Sequence, residues 1–237
     1  MFLIDRDAQI VHAVNAFGQL TSGHVRALFF KGLSDTPADR RLRILTDRKY
    51  LARLERPNPG GNKGGRGQFI YQLGPMGWKL CRGDSRYWPY RAVNPHTLSI
   101  ASAYVAIKSL EEGGRFEVTR YATEPKNWRT IGGVELRPDL YVEVVDHQRQ
   151  QSYAWWVEVD MGTERKAQIK EKLERYYHAW EHSADSGFET WPLVVFLVPD
   201  VERQDELQRL IRQGTEDAQA LFEVRLSNEF PPAGLSM

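Results

Sequence analysis

The chain has 237 residues, 41% of them hydrophobic and 27% charged, with a formal net charge of +1 at neutral pH. That length holds one large domain or two small ones, and that balance excludes a fibrous or wholly disordered chain. No long apolar run or signal-peptide pattern occurs, and the lone Cys81 excludes an internal disulfide framework, so a cytoplasmic protein without membrane contact is expected. The near-neutral total conceals an asymmetry. Residues 1–90 carry 15 Lys and Arg against 7 Asp and Glu, whereas residues 91–237 carry 17 against 24. A basic front suits a polyanion such as DNA, and an acidic remainder is compatible with carboxylates gathered around a metal.

Taken in order, Ile10, Val11, Val14 and Phe17 repeat at helical spacing until Gly18 interrupts them. Thr21 caps a second helix carrying Val25, Leu28 and Phe29. Thr36-Pro37 opens a third, reaching about Tyr50, with a capping hydroxyl followed by proline in the first turn. On that helix Ala38, Leu42 and Leu45 fall on one side and Arg40, Arg43 and Asp47 on the other. Residues 51–55 and 68–73 read as strands joined by the glycine-rich run R-P-N-P-G-G-N-K-G-G-R-G. Three helices and a hairpin in this order predict a winged helix over residues 1–82. Its third helix would bring Arg40, Arg41 and Arg43 to the bases of double-stranded DNA, and its wing would set Lys63 and Arg66 against the phosphates. The alternative is a solvated arginine face beside an idle linker. A nucleotide phosphate loop is excluded, because the glycine run lacks the Lys-Ser/Thr ending. Residues 83–95, with Trp88 and two tyrosines, read as an inter-domain link that packs.

The second domain, residues 96–237, begins with a helix over 97–112. Strands follow at 116–121, 140–145 and 153–159, then a helix over 163–182 and a buried-type strand at 193–198. A helix from Asp200 to about Gln213 and an edge strand at 221–226 complete an α/β (α+β) arrangement, a mixed sheet flanked by helices. Side chains alternate along a strand, so Asp139 shares a face with Tyr141 and Glu143, and Glu158 shares one with Trp156 and Asp160. If the faces coincide, Asp139, Glu158 and Asp160 converge at one edge of the sheet. Carboxylates in so apolar a setting need partners or a cation, which points to Mg2+ or Mn2+.

Pro138-Asp139, eighteen intervening residues and Glu158-Val159-Asp160 resemble the PD-(D/E)xK nuclease pattern. The resemblance implies a fold of helix, three strands, helix and strand. It implies that Asp139 and Glu158 hold the metal and that a lysine two positions after the Glu positions or activates water. Asp160 stands where that lysine belongs. Lys166 or Lys170, in the following helix, is expected to replace it, with Asp160 as a third ligand or a solvated strand-end acid.

Other combinations compete. Tyr176-Tyr177 resembles a DNA-joining tyrosine pair, but no His-x-His accompanies it, and packing is the expected role. His178 and His182, one turn apart, are expected to serve the helix terminus rather than a metal. Of Trp155 and Trp156, one is expected in the core, with the other bordering the cleft or filling core as well.

Over residues 8–226 the whole resembles the replication-relaxation family, most specifically in E-V-D-M-G-T-E and the K-E-K-L-E-R-Y helix. That resemblance implies replication or relaxation of plasmid and other mobile DNA. Metal-dependent phosphodiester hydrolysis is the leading expectation. A transcription regulator or replication accessory with a retired nuclease site is the second, and a protein-interaction adaptor the third. Expected partners are double-stranded DNA, a second copy of the chain and other replication or transfer proteins.

Overall fold

Helix α1 (Asp5–Phe17) forms where the apolar spacing predicts it, burying Ile10, Val11, Val14 and Phe17. It stops at Gly18, whose φ of 78° is strained for residues with a side chain. The computed structural model describes residues 3–54, 68–188 and 190–231. After β1 (Leu20–Thr21), α2 (Ser22–Phe29) is capped reciprocally: His24 N donates to Thr21 Oγ1 at 3.0 Å, and Thr21 N donates to His24 Nδ1 at 3.3 Å. Burial lowers the His24 pKa to about 4, which keeps the ring neutral and able to accept that bond. Helix α3 (Asp35–Asp47) buries Ala38, Leu42 and Leu45 as expected. It ends short of Tyr50 because the chain turns back through Lys49 at φ 60°.

Strands β2 (Leu51–Leu54) and β3 (Ile70–Leu73) pair antiparallel, with Leu51 opposite Leu73. The two residues of β1 add to the free edge of β3, giving the order β1-β3-β2. A strand that short carries no readable alternation. Lys63 and Arg66, expected on the wing, lie outside the described residues. Helix α4 (Pro75–Arg82) follows β3 directly, and Gly77 lets it press against the Tyr50 carbonyl, where a Cβ would collide. The aromatic segment 83–94 is tied down by two glutamines acting as surrogate strand backbone. Gln72 donates to Tyr90 O and accepts from Tyr90 N, at 3.1 and 2.6 Å. Gln19 likewise donates to Ala92 O and accepts from Asn94 N, each at 2.9 Å.

Two compact units divide the chain, Met1–Val105 and Ala106–Met237. The division falls inside α5 (Pro95–Ser109), whereas the sequence suggested limits at 82 and 96.

In the second unit β4 (Phe116–Thr123) leads into a hairpin of β5 (Arg129–Ile131) and β6 (Val134–Leu136), followed by β7 (Leu140–Asp146) and β8 (Gln151–Val159). Helix α6 (Lys166–Glu181) crosses to β9 (Leu193–Val198), and α7 (Val201–Ile211) with the short α8 (Glu216–Ala220) crosses to β10 (Phe222–Leu226). The sheet order is β10-β9-β8-β7-β4, parallel from β8 through β10 and antiparallel elsewhere. This is the mixed α/β architecture expected. The β5–β6 hairpin was not anticipated, although Ile131-Gly132-Gly133-Val134 is a two-residue turn signal, with both glycines at positive φ.

Both tryptophans of β8 are core residues. Trp156 packs on Tyr176 and Trp191, and Trp155 on Phe230, so neither offers a free ring. Buried Asp146 ends β7 and accepts from Arg115 at 2.6 Å and from the backbone of Gln148 and Arg149. Those bonds, the Arg115 one foremost, hold its carboxyl at about 2 and fix the β7–β8 turn. Among the described residues no helix is long and apolar enough to cross a membrane.

Candidate functional site

Two places concentrate chemistry, one in each unit. In the first, the outward face of α3 and strands β2 and β3 enclose a groove of about 900 Å3 lined by Arg40, Arg43, Lys49, Arg53, Asp39 and Asp47 among others. Asp39 is already paired, accepting from Arg26 at 2.7 Å, so cations dominate what remains. Arg53 lies over the Phe69 ring at 4.3 Å, which stiffens it. Among the described residues no hydrogen bond or ion pair engages the side chains of Arg40, Arg43 and Lys49. Arg41, expected beside them at the bases, points away. Its Nε donates to Asp7 Oδ1 at 2.9 Å and its Nη2 to Asp7 Oδ2, and Asp7 is 1% exposed. A buried carboxylate requires such a partner, so Arg41 belongs to the core between α1 and α3.

In the second unit the β7–β8 register sets Leu140 opposite Val157; continued by one residue, it sets Asp139 beside Glu158 on the same face. Asp139 is buried, and its Oδ2 accepts from Val159 N at 2.7 Å. Glu158, 3% exposed, accepts from Tyr176 Oη at 2.5 Å and from Lys172 Nζ at 2.9 Å. Burial pushes the Glu158 carboxyl up to about 7; Lys172 and Tyr176 oppose that rise and neighbouring Asp139 adds to it. Burial works against the Lys172 ammonium, but Glu158 and Glu164 outweigh it, so its pKa is raised and it stays charged. The same burial, with Glu158 next to it, raises the Tyr176 phenol well above its usual range. Tyr176 therefore serves as a hydrogen-bond donor, in keeping with a packing role.

Of the three acids expected to converge, Asp139 and Glu158 do. Asp160 is turned into the structure: Oδ1 accepts from Gly162 N at 2.6 Å and Oδ2 from Arg203 Nε at 2.7 Å. Arg203 also donates to the Glu164 carbonyl at 2.8 Å, so Asp160 and Arg203 together brace the turn that launches α6. The expected lysines are elsewhere as well. Lys166, an exposed residue, pairs with Glu206 at 3.4 Å, and Lys170 lines a hollow with Tyr177 and Leu210. The lysine of α6 that reaches Glu158 is Lys172. The helical spacing held that signal, since Lys172 follows buried Ile169 by three residues and precedes buried Tyr176 by four.

A cleft of about 270 Å3 opens above Glu158, Lys172 and Tyr176, walled by Glu135, Arg137 and Arg175. The unanticipated β5–β6 hairpin builds that wall, where Arg175 Nη2 donates to the Glu135 carbonyl at 2.7 Å. Behind it, buried Asn127 donates to Pro138 O at 2.5 Å and fixes the chain just before Asp139. His178 Nε2 donates to Gly132 O at 3.1 Å and the ring packs on His182, which ties α6 to the same hairpin. Two carboxylates from adjacent strands suit magnesium or manganese, which bind through one or two carboxylates and retain several waters. Among the described residues no three His, Cys, Asp or Glu side chains gather to hold an ion.

Compared with known proteins, the chain matches the family model described as replication-relaxation over residues 11–190. No curated protein and no solved structure matches it.

Proposed function

Because the chain belongs to the replication-relaxation family, we propose that it binds double-stranded DNA and acts in the replication or relaxation of plasmid or other mobile DNA. The observation that carries this reading is the groove of Arg40, Arg43, Lys49 and Arg53 beside α3, whose first three cations have no protein partner among the described residues. Three helices and a three-stranded sheet in this order support a winged helix, with α3 against the bases and the cations on phosphates. Phosphate contacts of this kind make affinity salt-dependent. Arg40→Ala with Arg43→Ala is therefore expected to weaken duplex binding at least about tenfold and to lower the salt slope by about 2. Fluorescence anisotropy across a salt series reads both; affinity unchanged at low and high salt would remove the groove from DNA binding.

In the second unit the proposed activity is phosphodiester hydrolysis at the cleft over Glu158. Asp139 and Glu158 would hold Mg2+ or Mn2+, which when bound polarises a phosphate and acidifies a water. Lys172, charged and 2.9 Å from Glu158, is the cation the chain itself offers to charge developing on that phosphate. Tyr176 and the Val159 amide orient the two carboxylates. Incubation of supercoiled and linear DNA with either metal is expected to give cleavage that Asp139→Asn and Glu158→Gln abolish. One observation favours a second reading, a DNA-binding accessory with a retired site: both Glu158 oxygens and both Asp160 oxygens already have protein partners. In that case the same two variants bind DNA at full strength and calorimetry detects no metal uptake.

A further inference from the structure

Residues 86–90 alternate between exposed and half-buried, so Arg86, Trp88 and Tyr90 face outward while Tyr87 and Pro89 face in. The inward side is anchored, with Tyr87 Oη donating to Leu73 O at 3.1 Å and both backbone groups of Tyr90 bonded to Gln72. The outward side is unusual for a protein surface. Trp88 is 61% exposed and Tyr90 44%, and the Arg86 guanidinium lies 5.3 Å over the Trp88 ring. Beside them Arg82 covers Trp78 at 4.2 Å, and Trp78 meets Tyr87 edge-on at 5.6 Å. Between residues 76 and 94 Lys79, Arg82, Arg86 and Arg91 are opposed by Asp84 alone.

Exposed aromatic rings in a fixed backbone mark a binding surface. Their interleaving with arginines selects its occupant. Trp, Tyr and Arg also gather at protein–protein hot spots, but four cations against one acid between residues 76 and 94 favour a polyanion, and surfaces for unpaired nucleic acid combine ring faces for bases with cations for the backbone. We propose that the Arg86, Trp88 and Tyr90 face is a stacking platform for single-stranded DNA, distinct from the groove beside α3. The proposal rests on the DNA-binding reading only for the kind of polymer involved. It gives the first unit separate surfaces for paired and unpaired DNA.

The test is binding of a labelled oligothymidylate to the full chain, followed by anisotropy and by quenching of tryptophan fluorescence. Trp88→Ala is expected to weaken that binding about tenfold, the effect of losing one base–aromatic stack, with Trp88→Phe near wild type and duplex affinity unchanged in both. Because Trp88 is exposed, circular dichroism of the variant should match wild type. Equal oligothymidylate affinity in wild type and Trp88→Ala overturns the platform. So does a concentration-dependent dimer, seen by sedimentation, that Trp88→Ala abolishes, since the face then belongs to a second copy. A protein that binds duplex but not oligothymidylate loses the platform and keeps the groove; the reverse result keeps the platform and loses the groove.

Discussion

Lys172→Met is expected to lower stability at pH 8 by about 3 kcal/mol, the lower end of what breaking a buried ion pair costs, and by much less at pH 5. The lower end applies because Lys172 keeps 30% of its side chain in solvent, which screens part of the interaction. Glu158 cannot escape in the same way. Left with Tyr176 as its only described side-chain donor and Asp139 nearby, it takes up a proton rather than stay charged. Burial already sets its folded pKa at about 7, above the ordinary 4.5. An acid raised in this way is protonated in both states below about pH 4.5 and costs nothing there. As pH climbs from 4.5 to 7 the unfolded chain has lost its proton and the folded one has not, so stability falls, and above 7 the full penalty is present. Removing Lys172 removes the positive charge that chiefly opposes burial, which deepens the fall and extends it to higher pH. Urea unfolding of wild type and variant at pH 5 and pH 8 measures this. Equal destabilisation at both would mean that Lys172 contributes through packing and not through charge. The double variant Glu158→Gln with Lys172→Met should recover much of the loss, because no unpaired carboxylate remains.

Arg41→Ala should destabilise the protein by about 3–5 kcal/mol, since it leaves the carboxylate of Asp7 buried without its cation. Its sequence neighbour Arg40 lies in the groove without a partner among the described residues. Arg40→Ala should stay within about 0.5 kcal/mol of wild type, as surface substitutions do. Adjacent arginines on one helix thus have separate signatures, one read by denaturation and the other by DNA affinity. Asp7→Asn with Arg41→Met is expected to restore most of the stability lost by Arg41→Ala. If Arg41→Ala instead unfolds like wild type and weakens duplex binding, the residue returns to the DNA-facing set.

Periodicity carried much of the architecture. The apolar spacing of α1 and α3, the alternation of β7 and β8 and the unbroken apolar run of β9 are properties of short windows, and each element forms there. The short elements β1, β5, β6 and α8 do not appear in the sequence reading; they show little or no period of their own, and they exist because neighbours pair with or pack on them. One of these shapes the candidate site, since the β5–β6 hairpin helps wall the cleft above Glu158.

By itself the sequence determined which residues share a face within each strand, Asp139 with Tyr141 and Glu158 with Trp156, because alternation is a local consequence of backbone geometry; that the two faces coincide came from the β7–β8 register. It likewise determined that α3 separates an apolar side from Arg40 and Arg43. Which cations answer which acids was decided only by the tertiary structure. Lysines flank the buried stripe of α6 on both sides, Lys166 and Lys170 on one and Lys172 on the other, and the docking angle of the helix on the sheet chose the flank that meets Glu158. Arg41 and Asp7 stand 34 residues apart, and Asp160 and Arg203 stand 43 apart. No window of sequence links such pairs, because an ion pair across the core follows from the packing of whole elements, and burial turns a nearby charge into an obligatory partner.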